Sequence, residues 1–239
     1  MLQILNRIKA MTAMEMKYYA FFDVDGTLLK GKPMLDFLNF YYQKRYYYFP
    51  IIGKIKCSLF RAKSVMLKLI DNTREAQNKL YYKCFKGQAR AYIENLGKEW
   101  FVKSISNESY FLNVVNELKQ HKLNNAVIVL VSGSFSACLH QIAQILQVDY
   151  TLATELEEKS GKYTGKLVSE PVIGVGKHNA ILRFLLHRDD VDLKKCFAYG
   201  DHISDVPMLS LVGNPCVITR DRELEEIATN NNWKIIYPA

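Results

Sequence analysis

No segment of this 239-residue chain approaches the run of about 18 apolar residues that a membrane-crossing helix needs, so no such helix is expected. Cys-x-x-Cys spacing is also absent. The five cysteines, Cys57, Cys84, Cys138, Cys196 and Cys216, are odd in number and dispersed, which argues for reduced thiols in a cytoplasmic setting rather than for zinc or disulfides. Met1 to Lys17 interleaves polar with apolar residues and lacks a signal-peptide core. It is expected to be a frayed leader, with a short amphipathic helix as the alternative. Internal repeats and low-complexity linkers are missing. What remains is a length that suits one sizeable core and one insertion.

Acidic residues are scarce in one region only. Lys30 to Lys103 carries 16 Lys/Arg against 5 Asp/Glu, whereas the rest carries 16 against 19, so this segment holds all of the net +8. Its apolar residues recur at helical spacing without strand-like alternation. From residue 107 onward strand and helix patterns alternate, the expectation for a doubly wound parallel α/β sheet. The spacing predicts helices over 107–121, 136–147, 177–187, 203–211 and 222–230, and strands over 126–131, 195–199, 216–218 and 233–236. The stretches 150–155 and 162–167 read as extended. The basic segment could steer an anionic substrate. Tyr41, Tyr42, Tyr46, Tyr47, Tyr48 and Phe49, with Lys44 and Arg45, could instead lie on an anionic membrane surface, or pack among the helices. No nucleic-acid motif accompanies the basic residues, and nucleic acid is not expected as a partner.

The most informative stretch is Phe21-Phe22-Asp23-Val24-Asp25-Gly26-Thr27. Tyr18 to Phe22 reads as a short buried strand, which sets Asp23 at its carboxyl end, where open α/β sheets hold their ligands. Gly26 lets the chain turn, so two carboxylates can crowd one small site. Such crowding is tolerated when a cation or a shared proton neutralises it.

Asp23-Val24-Asp25-Gly26-Thr27 resembles the first motif of the haloacid dehalogenase-like superfamily. Three further motifs of that family follow in order: a strand ending in a hydroxyl (Val127 to Val131, then Ser132-Gly133-Ser134), a lysine opening a helix (Lys177 in Gly174-Val175-Gly176-Lys177), and a strand with an acidic loop (Phe197 to Gly200, then Asp201 and Asp205). The resemblance spans residues 18 to 238. It implies a Rossmann-like catalytic core over residues 1–30 and 105–239, with a helical cap over 31–104 inserted after the first motif, as in the branch that includes phosphoserine phosphatases. It also implies an Mg2+-dependent phosphatase working through an aspartyl-phosphate. Asp23 matches the nucleophile and Asp25 the general acid and base, a role that asks for a carboxyl pKa raised toward neutrality.

Magnesium suits an all-oxygen donor set. The implied ligands are the Asp23 side chain, the Asp25 backbone carbonyl and the Asp201 side chain, with Asp205 acting behind them. Ser132, backbone N–H groups of Gly133 and Ser134, and Lys177 would meet the phosphoryl oxygens, with Thr27 a weaker candidate. Neither His178 nor His202 has a spacing that implies metal binding. Phosphoserine phosphatases carry an acidic residue nine positions after the nucleophile. Here that position is Lys32, which would repel an ammonium and welcome an anionic group, so phosphoserine is disfavoured. The expected substrate is a small anionic phosphomonoester. The alternatives are a membrane-surface lipid phosphatase of the phosphatidylglycerophosphatase type and a non-catalytic phosphate-binding protein.

Overall fold

The computed structural model describes residues 18–188 and 191–239; the expected leader at residues 1–17 lies outside the described residues. In chain order the elements are β1 (Tyr19–Phe22), α1 (Pro33–Arg45), α2 (Pro50–Ile70), α3 (Arg74–Lys83), α4 (Arg90–Ser104), α5 (Leu112–Leu123), β2 (Val127–Ser132), α6 (Ser136–Leu146), β3 (Tyr150–Ala153), β4 (Leu156–Lys159), β5 (Lys162–Leu167), α7 (Val175–Leu185), β6 (Phe197–Gly200), α8 (Val206–Leu209), β7 (Asn214–Ile218), α9 (Arg222–Asn230) and β8 (Lys234–Ile236).

Six strands form one sheet in the order β3-β2-β1-β6-β7-β8, and every pairing in it is parallel. Successive residues of a strand face opposite ways, and β1 shows it: Ala20 and Phe22 join one core, Tyr19 and Phe21 the other. The first core takes Val114 and Leu118 of α5, Ile142 of α6 and Trp100 of α4; the second takes Ile181 of α7, Leu209 of α8 and Leu224 of α9. Helices thus cover both faces, which is why the strands read as continuous apolar runs rather than alternating ones. Phe21 and Phe22 are fully buried, each stabilising the fold by roughly 1.5–3 kcal/mol.

The chain steps from β1 outward through β2 and β3, then returns to the other side of β1 with β6. The order therefore reverses between β1 and β6. A crevice opens at the carboxyl ends of the strands flanking such a reversal.

Two predicted helices differ from the observed elements. Over 107–121, Ser106 and Ser109 form a capping box around a 3-10 turn, and α5 begins only at Leu112. The interruption arises because Tyr110 bridges Leu29, with Lys30 N–H donating to Ser109 O (2.8 Å) and Phe111 N–H to Leu28 O (3.0 Å). The strands leaving and re-entering the sheet domain are thereby paired, and α1 to α4 hang from one double connection. Over 203–211 the helix is cut to a 3-10 turn and the four-residue α8, because Asp205 caps backward onto His202 and Pro207 follows at once.

Below the sheet, His121 is buried, with Nε2 2.7 Å from the Tyr199 hydroxyl and Nδ1 3.3 Å from that of Tyr18. Burial lowers its pKa below the ordinary 6.5. An unfolded chain therefore takes up this proton before the folded one does. The stability linked to His121 is present above about pH 6.5 and is lost as pH falls below it. Urea unfolding at about pH 7 and pH 5.5 is expected to show a smaller loss of stability for His121→Gln than for the parent; equal losses would contradict this assignment.

Candidate active site

Asp23 follows β1, with its N–H donating to Tyr199 O of β6 at 2.9 Å, so the residue is held by the neighbouring strand and is 6% exposed. Gly26 turns the chain at φ +92°, and a Cβ there would fall 2.2 Å from Asp201 Oδ2. Only glycine allows both the turn and the close approach of the two acidic loops. Gly200 allows a close approach within the second loop, since a Cβ would fall 2.7 Å from the Asp205 Cβ.

Lys177 lies in the first turn of α7 and is 3% exposed. Its Nζ donates to Asp23 Oδ1 at 2.5 Å and to Asp205 Oδ1 at 2.7 Å. Burial alone would push this ammonium down; the charges of Asp205 and Asp23 overcome it and hold the pKa above the ordinary lysine value. The other Asp205 oxygen accepts the N–H groups of Asp201 and His202, both at 3.2 Å. Carboxylate oxygens of Asp23, Asp201 and Asp205 all lie within 4.8 Å of one another. Asp205 is fully buried with one oxygen on Lys177 and the other on two backbone N–H groups, whereas Asp23 and Asp201 are less deeply buried and better placed to meet a cation.

Crowding shows in the proton affinities. The Asp25 carboxyl is raised to about 7 by burial and then by the Asp23 charge. Asp201 is raised to about 8 by burial, then by Asp23 and Asp205. An all-carboxylate set whose members resist ionising together fits a hard divalent cation, which would replace the missing positive charge.

The cavity beside these acids has a volume of about 30 Å³ and is lined by Asp25, Ser132, Gly133 and Lys177 from the sheet domain and by Met34 and Arg74 from the helices, among others. That is room for a few small groups. A separate cavity of about 430 Å³ lies between α4, α6 and the β4–β5 hairpin, lined by Arg90, His140 and Tyr163 among others, and shares no lining residue with it.

Several expectations for individual residues are corrected. Thr27 is fully buried and donates its hydroxyl toward Asp23 Oδ2 and Asp201 Oδ1, both at 3.2 Å, so it braces the acids rather than facing a phosphoryl group. The Ser134 N–H donates to Ser132 Oγ at 3.0 Å, and α6 starts two residues later, so Ser134 offers no free helix-end donor. Lys32 stands exposed ahead of α1 and does not line the cavity. Besides Lys177, the cation that does is Arg74, at the start of α3, whose Nη1 donates to Ser204 Oγ at 3.0 Å. Tyr41 and Tyr42 are buried in the core, leaving only Tyr47, Tyr48 and Phe49 of that cluster strongly exposed, while Lys44 pairs with Glu99 and Arg45 with Gln88.

Arg74, Asn78 and Tyr82 carry no motif and escaped the sequence reading. Asn78 Nδ2 (2.9 Å) and Tyr82 OH (2.7 Å) both donate to the Gly133 carbonyl, so α3 grips the loop that follows β2. His202 accepts from Ser204 N–H (3.0 Å) and caps the 3-10 turn. Burial, then the charge of Arg74, lowers its pKa.

Residues 20–210 match the model of the haloacid dehalogenase-like hydrolase family. The chain is 32% identical over 219 residues to a phosphoserine phosphatase of Mycobacterium tuberculosis, spanning 90% of this chain and 69% of that protein. Among solved structures, a Bordetella pertussis protein of unknown function superimposes with a TM-score of 0.80 at 21% identity, over 93% of this chain and 99% of that one. A phosphoserine phosphatase, in the form of a phospho-aspartyl intermediate analogue, gives 0.56 at 21% identity, over 90% and 99%. The structural likenesses speak for a shared fold.

Proposed function

The chain belongs to the haloacid dehalogenase-like hydrolase family and is a phosphatase of it, and from that premise we propose that it hydrolyses a small anionic phosphomonoester with magnesium through an aspartyl-phosphate on Asp23. One observation carries the reading: Lys177 bridges Asp23 and Asp205 beside Asp201, at the carboxyl ends of β1 and β6. Residues 31–104 act as the cap over this site.

Phosphomonoesters hydrolyse very slowly unaided, so charge and geometry have to be supplied. In the first step an Asp23 oxygen bonds to phosphorus as the ester P–O bond breaks, and Asp25 gives its proton to the leaving oxygen. A carboxyl held near 7 is poised for this at neutral pH. In the second, water attacks phosphorus, its proton passes to Asp25, and the Asp23–phosphoryl bond breaks. Lys177 and Ser132 offset charge on the phosphoryl oxygens. Thr27 and Asp205 hold Asp23, Asp201 and Lys177 in register. Magnesium held by Asp23, Asp201 and the Asp25 carbonyl would supply electrostatic stabilisation of the transferring group.

Arg74 supports the anionic substrate class, because it lines the cavity and, among the described residues, its guanidinium hydrogen-bonds to the neutral Ser204 hydroxyl and to no carboxylate. Hydrolysis of an aryl phosphate is expected to require magnesium and to stop in EDTA. Equal phosphate release in both would contradict the reading.

A further inference from the structure

Helix α2 presents two apolar stripes, and the structure uses only one. Gly53, Cys57, Phe60, Ser64 and Leu67, spaced four and three apart, turn toward the body of the protein. Phe60 meets Tyr81 with ring centroids 6.4 Å apart, and Ser64 Oγ donates to Gln77 Oε1 at 2.6 Å. The second stripe, Ile52, Ile55, Leu59, Ala62, Met66 and Leu69, follows the same spacing on the far side and faces outward. Leu59 is 49% exposed, Met66 64% and Leu69 84%. A soluble surface rarely leaves a continuous apolar stripe of this length uncovered.

The charges around that stripe say what covers it. At about 100° per residue, Lys54, Arg61 and Lys68 run along one edge and Lys56 and Lys63 along the other, while Pro50–Ile70 contains no Asp or Glu. Lysine and arginine stems on both borders can lie along an apolar surface with their charged heads reaching outward to anions. Tyr47, Tyr48 and Phe49 stand exposed at the end from which the helix starts, and amphipathic aromatic rings suit a membrane interface. A second copy of this chain would set basic edges against basic edges. We propose that α2 is an interfacial helix that docks the enzyme on an anionic lipid bilayer, its outer apolar stripe entering the headgroup region and its five basic residues meeting lipid phosphates. The docking is independent of which ester is hydrolysed. Because Ile70 ends the helix four residues before Arg74, it would bring the cavity mouth to within about 15 Å of the surface by chain length.

Co-sedimentation of the full chain with vesicles tests this. Binding is expected with phosphatidylcholine vesicles containing about one third phosphatidylglycerol, with little binding to pure phosphatidylcholine and a steep fall on adding salt. The double variants Leu59→Ser/Met66→Ser and Lys56→Glu/Lys63→Glu should each bind at least about tenfold more weakly. Both alter exposed side chains remote from the acids, so hydrolysis of a soluble aryl phosphate reports that they fold. No binding of the parent to anionic vesicles, or equal binding of parent and variants, would overturn the proposal. So would a parent dimer in sedimentation equilibrium that Leu59→Ser/Met66→Ser dissolves, since the stripe would then join two copies.

Discussion

Replacing Asp23 by asparagine is expected to lower phosphomonoester turnover by at least about four orders of magnitude while leaving the protein folded. Asparagine keeps the shape: its Oδ1 can still accept from Lys177, while its Nδ2 would face the Thr27 hydroxyl, which can accept in place of donating. It cannot form the acyl phosphate. Lys177 retains Asp205 as an ionic partner, so no buried charge is orphaned. Phosphate release with magnesium, measured beside a thermal melt, checks both halves. Turnover within tenfold of the parent would remove Asp23 from the nucleophilic role; a collapsed melt would make its contribution structural first.

Lys177→Met is expected to do damage of two kinds. Its ammonium lies between Asp23 and Asp205, and Asp205 is fully buried. Removing this cation, which touches both, leaves an uncompensated buried carboxylate, at a cost of about 3–5 kcal/mol of folding stability. Turnover should fall at least about a hundredfold, because a charge facing the phosphoryl oxygens is lost. The two effects separate on adding magnesium. A divalent cation among the acids can offset part of their repulsion and recover part of the stability, but it cannot replace the donor at Lys177. Urea unfolding with and without magnesium, beside phosphate release, gives the comparison. A variant as stable as the parent in EDTA would contradict the view that Lys177 neutralises the cluster.

The sheet was legible because its strands are short apolar runs closed by small or acidic residues. Tyr19–Phe22 ends at Asp23, Val127–Ser132 at Gly133, and Phe197–Gly200 at Asp201, and the parallel order brings those ends together. The alternation of strand and helix after residue 107 implied that arrangement without saying which strands would be neighbours. Lys177 was readable as a helix-opening residue, although its ion pairs reach 154 and 28 positions along the chain.

What was hidden depends on how the helical segment folds over the sheet. An offset of nine residues from Asp23 directs attention to Lys32, but the chain turns there into α1 and leaves that side chain in solvent. Arg74 lies fifty-one positions from Asp23 with no motif around it, and only the packing of α3 on the loop after β2 brings it to the cavity. The same holds for Asn78 and Tyr82, whose pattern reads as an ordinary helix face. Thr27 misled differently: its position in the motif suggested a phosphate donor, whereas the turn at Gly26 aims its hydroxyl inward at Asp23 and Asp201. The aromatic cluster at 41–49 divides because Tyr41 and Tyr42 fall on the inner face of α1, while Tyr47, Tyr48 and Phe49 lie beyond the end of that helix.

The central claim is that Asp23 carries the phosphoryl group during turnover. The most direct measurement is to quench the enzyme during steady-state hydrolysis of an aryl phosphate, reduce with borohydride, and map the peptides by mass spectrometry. An aspartyl-phosphate at Asp23 would be reduced to homoserine at that position, and only when substrate and magnesium were present before the quench. Sustained hydrolysis with Asp23 unmodified, or the reduced residue appearing at Asp25, Asp201 or Asp205 instead, would contradict it.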